Sequence, residues 1–195
     1  MLRVKGDIEE YGEERIVSLM SRLPEWRREK ASAFKHLSGK RDCTLSYLLL
    51  ADMLRKGYGI DSPLSFAYNA HGKPFLEDRP DIHFSLSHCR TAVACLVGDS
   101  PCGVDVECIR KAKPALVEYC MNKEERELVF RSATPDIIFT EMWTRKEAVF
   151  KLLGTGITGD IKDILSPENL AGLRLRTLKS PDGSFVVTEA LLTSK

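Results

Sequence analysis

The stretch Trp-Thr-Arg-Lys-Glu-Ala-Val-Phe-Lys, at residues 143–151, decides how the rest of this chain is interpreted. On a helix, Trp143, Glu147 and Lys151 recur every four residues, so their side chains share one face. An isolated Glu-x-x-x-Lys pair is most often an ordinary surface ion pair. The stretch therefore predicts a functional helix face only in combination with the acidic residues that precede it in the chain.

Those acidic residues lie in the segment Gly-Val-Asp-Val-Glu at residues 103–107. On a strand, Asp105 and Glu107 are two residues apart and point to the same face, while the valines point to the other. This acidic strand face can then meet the helix face that carries Glu147 and Lys151. Three carboxylates and one ammonium group in one place suit Mg²⁺ and a diphosphate, because Mg²⁺ prefers oxygen ligands.

The composition is that of an ordinary globular protein. The 195 residues are 43% hydrophobic and 29% charged, which is enough for one domain or two small lobes. The net charge of +1 gives no electrostatic case for nucleic acid. Residues 21–60 hold nine Lys or Arg against four Asp or Glu. This local excess favours an anionic ligand or partner, although a solvated helix surface also accounts for it.

The chain shows no sign of a membrane segment or of disulfide bonds. No apolar run approaches the roughly 20 residues that a membrane span needs, and the N-terminus lacks the apolar segment of a signal peptide. The six cysteines form no Cys-x-x-Cys pair. They are therefore expected to be reduced, small core residues of a cytoplasmic protein.

Hydrophobic periodicity along the chain predicts a mixed α+β fold. A strongly apolar helix is expected at 41–56, ended by Gly57 and Gly59. A closing hairpin is predicted from 173–176 and 185–187, which flank a Pro-Asp-Gly turn. The remaining predicted helices are 12–22, 24–37, 114–130 and 135–153, and the predicted strands are 1–8, 65–68, 84–86, 91–97 and 103–107.

Four segments, in order, resemble the motifs of the Sfp-type 4′-phosphopantetheinyl transferases. The Trp-x-x-Lys-Glu-x-x-x-Lys spacing downstream of Asp-x-Glu is the most specific feature, and the ordered set is more specific than any one member. The resemblance covers roughly residues 20–160. The four segments are Gly72-Lys73-Pro74, Phe84-Ser85-Leu86-Ser87-His88, Gly103–Glu107 and Trp143–Lys151, with a weaker match at Pro24–Lys30.

The resemblance implies two similarly folded halves related by a pseudo-twofold axis, with coenzyme A in the cleft between them. It places the N-terminal half at 1–101 and the C-terminal half at 102–195. Members of the family usually end with a further apolar strand after the closing hairpin, whereas this chain stops soon after 189–192. We therefore expect either a second half shortened at its C-terminus or a sheet edge that is covered differently. The protein is expected to be a monomer, or to self-associate if that edge is uncovered.

The implied reaction is Mg²⁺-dependent transfer of 4′-phosphopantetheine from coenzyme A to a serine hydroxyl of an apo acyl or peptidyl carrier protein, with 3′,5′-ADP as the other product. The resemblance assigns Asp105, Glu107 and Glu147 as ligands of Mg²⁺, which Mn²⁺ can replace. It also makes Glu147 the base for the serine proton and Lys151 the group that stabilises the leaving phosphate. Lys146 lies off this face and is expected either at a phosphate or on the surface.

The resemblance places further residues on coenzyme A. His88 is expected to contact its phosphates as a catalytic cation near neutral pH, with Ser87 beside it. Lys73 is expected to project from a stiff loop toward the adenine or phosphate end. The family pattern often has Asn and Ser where this chain has Ser85 and Cys89. Weaker assignments to the phosphates are Arg27, Lys30 and Arg41.

The partner and the alternatives complete the set of expectations. The segment Cys120–Glu125 falls where the family docks the carrier protein. A protein of the same fold that binds coenzyme A without turnover is one alternative, which the intact Glu147 and Lys151 disfavour. An unrelated metal-dependent phosphohydrolase is another, which the absence of a further Asp/His cluster disfavours. The sequence does not specify which carrier is served.

Overall fold

The structure is a computed structural model that describes residues 1–61, 63–157 and 161–193. Within these residues the chain forms eight strands and seven α-helices, which is an α+β arrangement. The strands are β1 (Leu2–Lys5), β2 (Phe66–Tyr68), β3 (Pro74–Leu76), β4 (His83–His88), β5 (Val93–Gly98), β6 (Cys102–Cys108), β7 (Leu173–Lys179) and β8 (Phe185–Leu192). The helices are α1 (Glu13–Met20), α2 (Glu25–Ser32), α3 (Leu37–Tyr58), α4 (Pro114–Cys120), α5 (Lys123–Arg131), α6 (Pro135–Leu153) and α7 (Pro167–Leu170).

The strands form two three-stranded antiparallel sheets with the same strand order, besides a separate β2–β3 hairpin. In the first sheet β1 pairs with β5, which pairs with β4. In the second sheet β6 pairs with β8, which pairs with β7. In each sheet the earliest strand therefore lies beside the last strand of a later hairpin. The pseudo-twofold relation and the division into 1–101 and 102–195 stay predictions.

The second sheet is not reduced relative to the first, because each has three strands among the described residues. The outer strand of the second sheet is β7, whose exposed side chains include Arg174 and Arg176. Charged side chains on an edge strand oppose pairing with another chain. Self-association through this edge stays a prediction, and these arginines are a physical reason against it.

The helix α3 fills the core of the first half. It extends beyond the predicted 41–56 at both ends. Leu50, Met53 and Leu54 recur with helical spacing and are fully buried. Gly59 caps the helix in the left-handed conformation at φ 66°, which glycine adopts without steric cost.

Side-chain hydroxyls, rather than a backbone ladder, join the two sheets. The Ser85 hydroxyl accepts a hydrogen bond from the backbone N–H of Val104 at 3.0 Å. The Ser87 hydroxyl accepts one from the N–H of Val106 at 3.2 Å. We call this contact between β4 and β6 the seam. In both hydrogen bonds the two residues are nineteen positions apart in the sequence, so the seam has one continuous register.

A glycine lets α6 lie directly on β6. A Cβ atom at Gly103 would clash with the carbonyl oxygen of Ala148 and would lie 2.5 Å from the amide nitrogen of Leu152. The opposite face of the strand carries Val104 and Val106, which are fully buried. This close approach turns the helix face predicted at residues 143–151 toward the acidic face of β6.

The prediction of one helix over 114–130 is wrong, because the structure has two helices there, α4 and α5. The chain leaves the helical conformation at Met121. Asn122 then starts α5 with a capping box: its side chain accepts from the Glu125 N–H, and the Glu125 carboxylate accepts from the Asn122 N–H, both at 2.9 Å. Two otherwise unpaired amides are satisfied at this break, which stabilises a helix start there.

The six cysteines are free thiols in the structure. Four of them are buried, as expected for core residues, whereas Cys89 and Cys108 are partly exposed. Among the described residues, no helix combines the length and the apolar composition that crossing a lipid bilayer requires.

Replacement of Gly103 by alanine tests the close packing of α6 on β6. We expect Gly103→Ala to lower the free energy of unfolding by about 1–3 kcal/mol, because the added methyl group forces the helix off the strand. The measurement is urea denaturation followed by circular dichroism. Gly98→Ala is the matched control, since a Cβ at Gly98 meets nothing within 4 Å. Equal losses in both variants would contradict the packing described above.

Candidate active site

Three elements meet at the Asp105 carboxylate of β6. Its Oδ1 accepts a hydrogen bond from the Ser87 hydroxyl of β4 at 2.8 Å. The same oxygen receives the Lys151 ammonium group of α6 at 2.7 Å, and that ammonium also donates to the Ser87 oxygen at 2.8 Å. We call this set of contacts the junction. It brings together three residues that the sequence analysis assigned to one site.

The second oxygen of Asp105 is left without a partner. Asp105 is only 3% exposed, and its Oδ2 is buried with no hydrogen-bond partner among the described residues. A buried carboxylate oxygen without a donor is costly. It therefore marks a position where a cation would be favoured.

Two further carboxylates share this electrostatic environment. Burial, and then the Asp105 carboxylate, raise the pKa of Glu107. The same two causes, in the same order, raise the pKa of Glu147, while Lys151 acts in the opposite direction. Like charges near one another disfavour ionisation of each. The Asp105 carboxylate thus lies close enough to both glutamates to raise the pKa of each.

Glu107 is held by two neighbours. Its Oε1 accepts from the Arg110 guanidinium at 2.8 Å and from the Trp143 indole N–H at 3.3 Å. The Arg110 guanidinium also lies 5.7 Å from the centre of the Trp143 ring. Trp143 therefore both packs against the buried cluster that contains Phe139 and orients Glu107. The second contact links the first residue of the 143–151 motif to the acidic strand.

The arrangement of the acids fits a hard cation by its chemistry, although it is not a closed metal cage. In residues 1–61, 63–157 and 161–193 no group of three His, Cys, Asp or Glu side chains is close enough to hold a metal ion. The Lys151 ammonium group lies against Asp105 instead. The unpartnered Asp105 oxygen and the all-oxygen donor set are what suit a divalent cation such as Mg²⁺.

A cleft leads away from the junction. One cavity of about 300 Å³ is lined by Glu147, Lys151 and Lys73. A second, of about 310 Å³, is lined by His88 and Lys30. The two cavities share three lining residues, Pro74, Phe84 and Leu86. Together they place the predicted catalytic helix at one end of the cleft and the predicted phosphate binders at the other.

His88 lies at the far end of the cleft. Its side chain is 55% exposed, and its Nδ1 lies 3.4 Å from the Asp42 carboxylate. Burial raises the pKa of Asp42, while His88 and Arg41 lower it. Arg41 is itself buried and lies 3.8 Å from the other Asp42 oxygen. The two residues predicted to bind phosphate are thus gathered around one acidic side chain.

Arg27 and Lys30 line the same cavity as His88. Arg27 is 9% exposed and donates to the carbonyl oxygen of Cys43 at 3.0 Å. The Nε atoms of Arg27 and Arg41 are both buried without a hydrogen-bond partner among the described residues. Unsatisfied guanidinium donors beside a cavity favour an anionic ligand.

Lys73 does not project freely from its loop, contrary to the expectation. Its ammonium group donates to the carbonyl oxygens of Cys102 and Leu152, both at 3.1 Å. In the same turn, the Asn69 amide donates to the carbonyl oxygen of Gly154 at 2.8 Å. Burial lowers the pKa of Lys73. These contacts fasten the C-terminal end of α6 to the first half, while a direct contact of Lys73 with coenzyme A stays a prediction.

Lys146 was expected at a phosphate or on the surface, and it is fully buried instead. Its ammonium group pairs with the Glu125 carboxylate at 2.8 Å and donates to the carbonyl oxygens of Ile161 and Lys162. Loss of one partner of a buried ion pair costs about 3–5 kcal/mol. Lys146 therefore ties α6 to α5 and to the segment that begins at residue 161. No feature of the sequence distinguished this role.

The expected carrier-docking segment Cys120–Glu125 is largely inaccessible. Cys120 and Met121 are fully buried, and Glu125 is engaged by Lys146 and by the capping box. Only Lys123 and Glu124 of this segment are exposed. A carrier protein could contact this segment only through Lys123, Glu124 and the half-buried Asn122, and docking there stays a prediction.

Comparisons with known proteins identify the relatives of this chain. The family model for the 4′-phosphopantetheinyl transferase superfamily matches residues 101–189. The 4′-phosphopantetheinyl transferase psf-1 of Bacillus pumilus is 30% identical over 161 residues, which are 80% of this chain and 69% of that protein. The 4′-phosphopantetheinyl transferase Sfp of Bacillus subtilis (strain 168) is 30% identical over 151 residues, 74% of this chain and 65% of that protein.

A further 4′-phosphopantetheinyl transferase of Bacillus subtilis is 28% identical over 148 residues, 72% of this chain and 64% of that protein. The chain therefore spans about two thirds of the length of these curated relatives.

Replacement of Glu147 by glutamine tests the electrostatic cost of the acidic cluster. Because the folded-state pKa of Glu147 is raised, its charge destabilises the fold at pH 7, and this effect disappears as the pH falls below the unfolded value of 4.5. We expect Glu147→Gln to unfold at a higher urea concentration than the wild type at pH 7 without metal, and at nearly the same concentration at pH 4. The exposed Glu118→Gln serves as the control. A difference that does not change with pH would refute the assignment.

Replacement of Lys73 by methionine tests the attachment of α6 to the first half. Two carbonyl oxygens lose their donor, so we expect Lys73→Met to lower the free energy of unfolding by about 1–3 kcal/mol in the absence of any ligand. Lys30→Met is the matched control, because Lys30 is exposed. If both variants unfold like the wild type, the contacts of Lys73 contribute nothing to the fold.

Proposed function

The chain belongs to the 4′-phosphopantetheinyl transferase superfamily, and we propose that it transfers phosphopantetheine from coenzyme A to a serine hydroxyl of an acyl or peptidyl carrier protein. The observation that carries the proposal is the junction, at which Lys151 and three interacting carboxylates lie at one end of a cleft. Basic side chains line the other end. A long diphosphate-containing substrate such as coenzyme A suits this distribution.

In the proposed reaction the serine oxygen attacks the phosphorus that bears the pantetheine. A new P–O bond forms, the P–O bond to the nucleotide breaks, and 3′,5′-ADP leaves with the electron pair. Such transfers depend on alignment and on charge neutralisation more than on covalent help from the protein. The serine proton passes to Glu147, whose raised pKa makes it a better proton acceptor than an exposed glutamate.

Lys151 stabilises the leaving phosphate in this proposal. Its ammonium group is held by Asp105 and Ser87 at the mouth of the cleft. A phosphate oxygen entering the cleft would compete with Asp105 for this cation. The negative charge that develops on the leaving phosphate is then stabilised by an ammonium group that is already in position. Such preorganised groups give the most effective electrostatic stabilisation.

We propose that Asp105, Glu107 and Glu147 hold a Mg²⁺ ion, for which Mn²⁺ is a substitute. The ion supplies positive charge that offsets the repulsion among the carboxylates and the diphosphate. The unpartnered oxygen of Asp105 supports this assignment.

The proposed contacts of coenzyme A beyond the reaction centre are electrostatic. The far cavity is lined by His88, Arg27 and Lys30. Arg41 lies beside its wall, next to Asp42. The buried Nε donors of the two arginines have no hydrogen-bond partner among the described residues and would gain one from a phosphate oxygen. These residues are proposed to bind the coenzyme, with His88 as a cation toward its phosphates.

The carrier protein is proposed to approach near α5. A groove of about 790 Å³ lies between α5 and α6, with Leu128, Met142 and Arg131 among its lining residues. Leu128 is 60% exposed and Phe130 is 51% exposed. The groove also carries charged side chains of both signs, and an apolar surface with a charged rim suits a protein partner. The proposal does not specify which carrier protein is served. A cytoplasmic location is part of the proposal.

One assay separates the proposed transferase from its alternatives. The full chain is incubated with coenzyme A, Mg²⁺ and an apo-carrier, and the carrier is analysed by mass spectrometry. The transferase adds one phosphopantetheine group to the carrier, and this is the expected result. A binder leaves the carrier unmodified and the coenzyme intact, whereas a phosphohydrolase consumes the coenzyme without modifying the carrier.

Variants of the junction test the assigned roles. We expect Asp105→Asn and Lys151→Met each to lower turnover by about 10²–10³-fold, because each removes charge stabilisation in the transition state. Lys179→Met, an exposed substitution on β7, is the control. As a readout without turnover, Mg²⁺ should raise the melting temperature of the wild type and not that of Asp105→Asn. Wild-type rates in both junction variants would refute the roles.

A further inference from the structure

The seam continues beyond its two serines to a pair of thiols. Ser85 contacts the backbone at position 104 and Ser87 the backbone at position 106. Because side chains on one face of a strand recur every two residues, the next step of this register places Cys89 beside Cys108. Each cysteine lies at or just beyond the end of its strand, one residue after His88 and Glu107 respectively.

The contacts of the two thiols agree with this register. Cys89 Sγ lies 3.6 Å from the Thr91 hydroxyl oxygen, and Cys108 Sγ lies 3.4 Å from the same oxygen. The Thr91 hydroxyl is thus a shared neighbour of the two thiols, which also form a side-chain hydrogen bond with each other.

The separation of the two strands suits a disulfide bond. Along the seam the backbones are separated by one serine side chain and one hydrogen bond of 3.0 or 3.2 Å. A disulfide likewise joins backbones through short side chains, across a Cα–Cα separation of about 4.4–6.8 Å. Bond formation at the end of the seam therefore requires rotation of side chains rather than rearrangement of the sheets.

Accessibility distinguishes this pair from the other cysteines. Cys89 and Cys108 are partly exposed. The other four thiols, Cys43, Cys95, Cys102 and Cys120, are all buried. A dissolved oxidant therefore reaches Cys89 and Cys108 first.

We propose that Cys89 and Cys108 form a redox-active dithiol, which low-molecular-weight disulfides such as oxidised glutathione convert into a disulfide across the seam. One cysteine sulfur attacks the small disulfide, forming a mixed disulfide and releasing one thiol. The second cysteine sulfur attacks the mixed disulfide, so the Cys89–Cys108 bond forms and the second small thiol leaves. Two protein S–H bonds and the S–S bond of the oxidant are replaced by one protein S–S bond and two thiols.

The bond would replace the hydrogen-bonded end of the seam by a covalent link between β4 and β6. In a reducing compartment the pair rests as two thiols, and oxidation is a transient state. The residues next to the link are His88 and Glu107, which lie in the proposed site. The formation of the link is independent of the proposed transferase activity, because its chemistry involves neither the coenzyme nor the carrier.

Oxidation of the full chain followed by peptide mapping tests the proposal. The reduced protein is incubated with oxidised glutathione, free thiols are blocked by an alkylating reagent under denaturing conditions, and the digest is analysed by mass spectrometry. We expect a cross-linked peptide pair containing Cys89 and Cys108, with the other four cysteines alkylated. Recovery of both cysteines in alkylated form, as separate glutathione adducts, or bonded to other cysteines would overturn the proposal.

Variants and stability provide the controls. Cys89→Ser and Cys108→Ser each retain one thiol of the pair and should give no cross-linked peptide. The oxidised wild type should melt several degrees above the reduced form, because the link constrains the unfolded chain, and reductant should reverse the change. In Cys89→Ser the same treatment should leave the melting temperature unchanged. An equal shift in that variant would show that oxidation elsewhere is responsible.

Discussion

The contact between Lys151 and Asp105 is the interaction on which the rest of the site depends. It joins an ammonium group on α6 to a carboxylate on β6, and Ser87 brings β4 into the same set of contacts. Asp105 is almost entirely removed from water, and an ionised carboxylate is stable there only where donors and cations surround it. The position of α6 on β6 brings Lys151 to the Asp105 carboxylate, and the alignment of the two sheets brings Ser87 to it.

The neighbouring acids add electrostatic repulsion to the site, and they also supply groups that can accept protons or bind cations. Glu107 is offset by Arg110 and Trp143, whereas Glu147 forms no hydrogen bond with the described part of the chain and is balanced mainly by Lys151. Carboxylates whose pKa values are raised by burial and by one another are frequent at sites that accept protons or bind cations. The fold holds them together through contacts outside the cluster, namely Lys73 at one end of α6 and Lys146 on its buried side.

The parts of the structure that could be predicted are those encoded in short-range periodicity. The helix over 135–153 and the strand over 103–107 follow from repeats of four and two residues, and these repeats also place the acids and Lys151 together. The break at Asn122 was missed, although the Asn-x-x-Glu pattern of a capping box is visible in the sequence. The roles of Lys73 and Lys146 depend on carbonyl groups distant in sequence, so no local pattern could reveal them.

The strand order also affects the order in which the chain can fold during its synthesis. Because β1 pairs with β5 and β6 pairs with β8, neither sheet is complete until its last strand has left the ribosome. All three strands of the first sheet are available once residues up to Gly98 have emerged, while α6 and β8 are still being synthesised. A first sheet that forms at this stage would present β4 before β6 appears, and would thereby act as the template on which the later strands align.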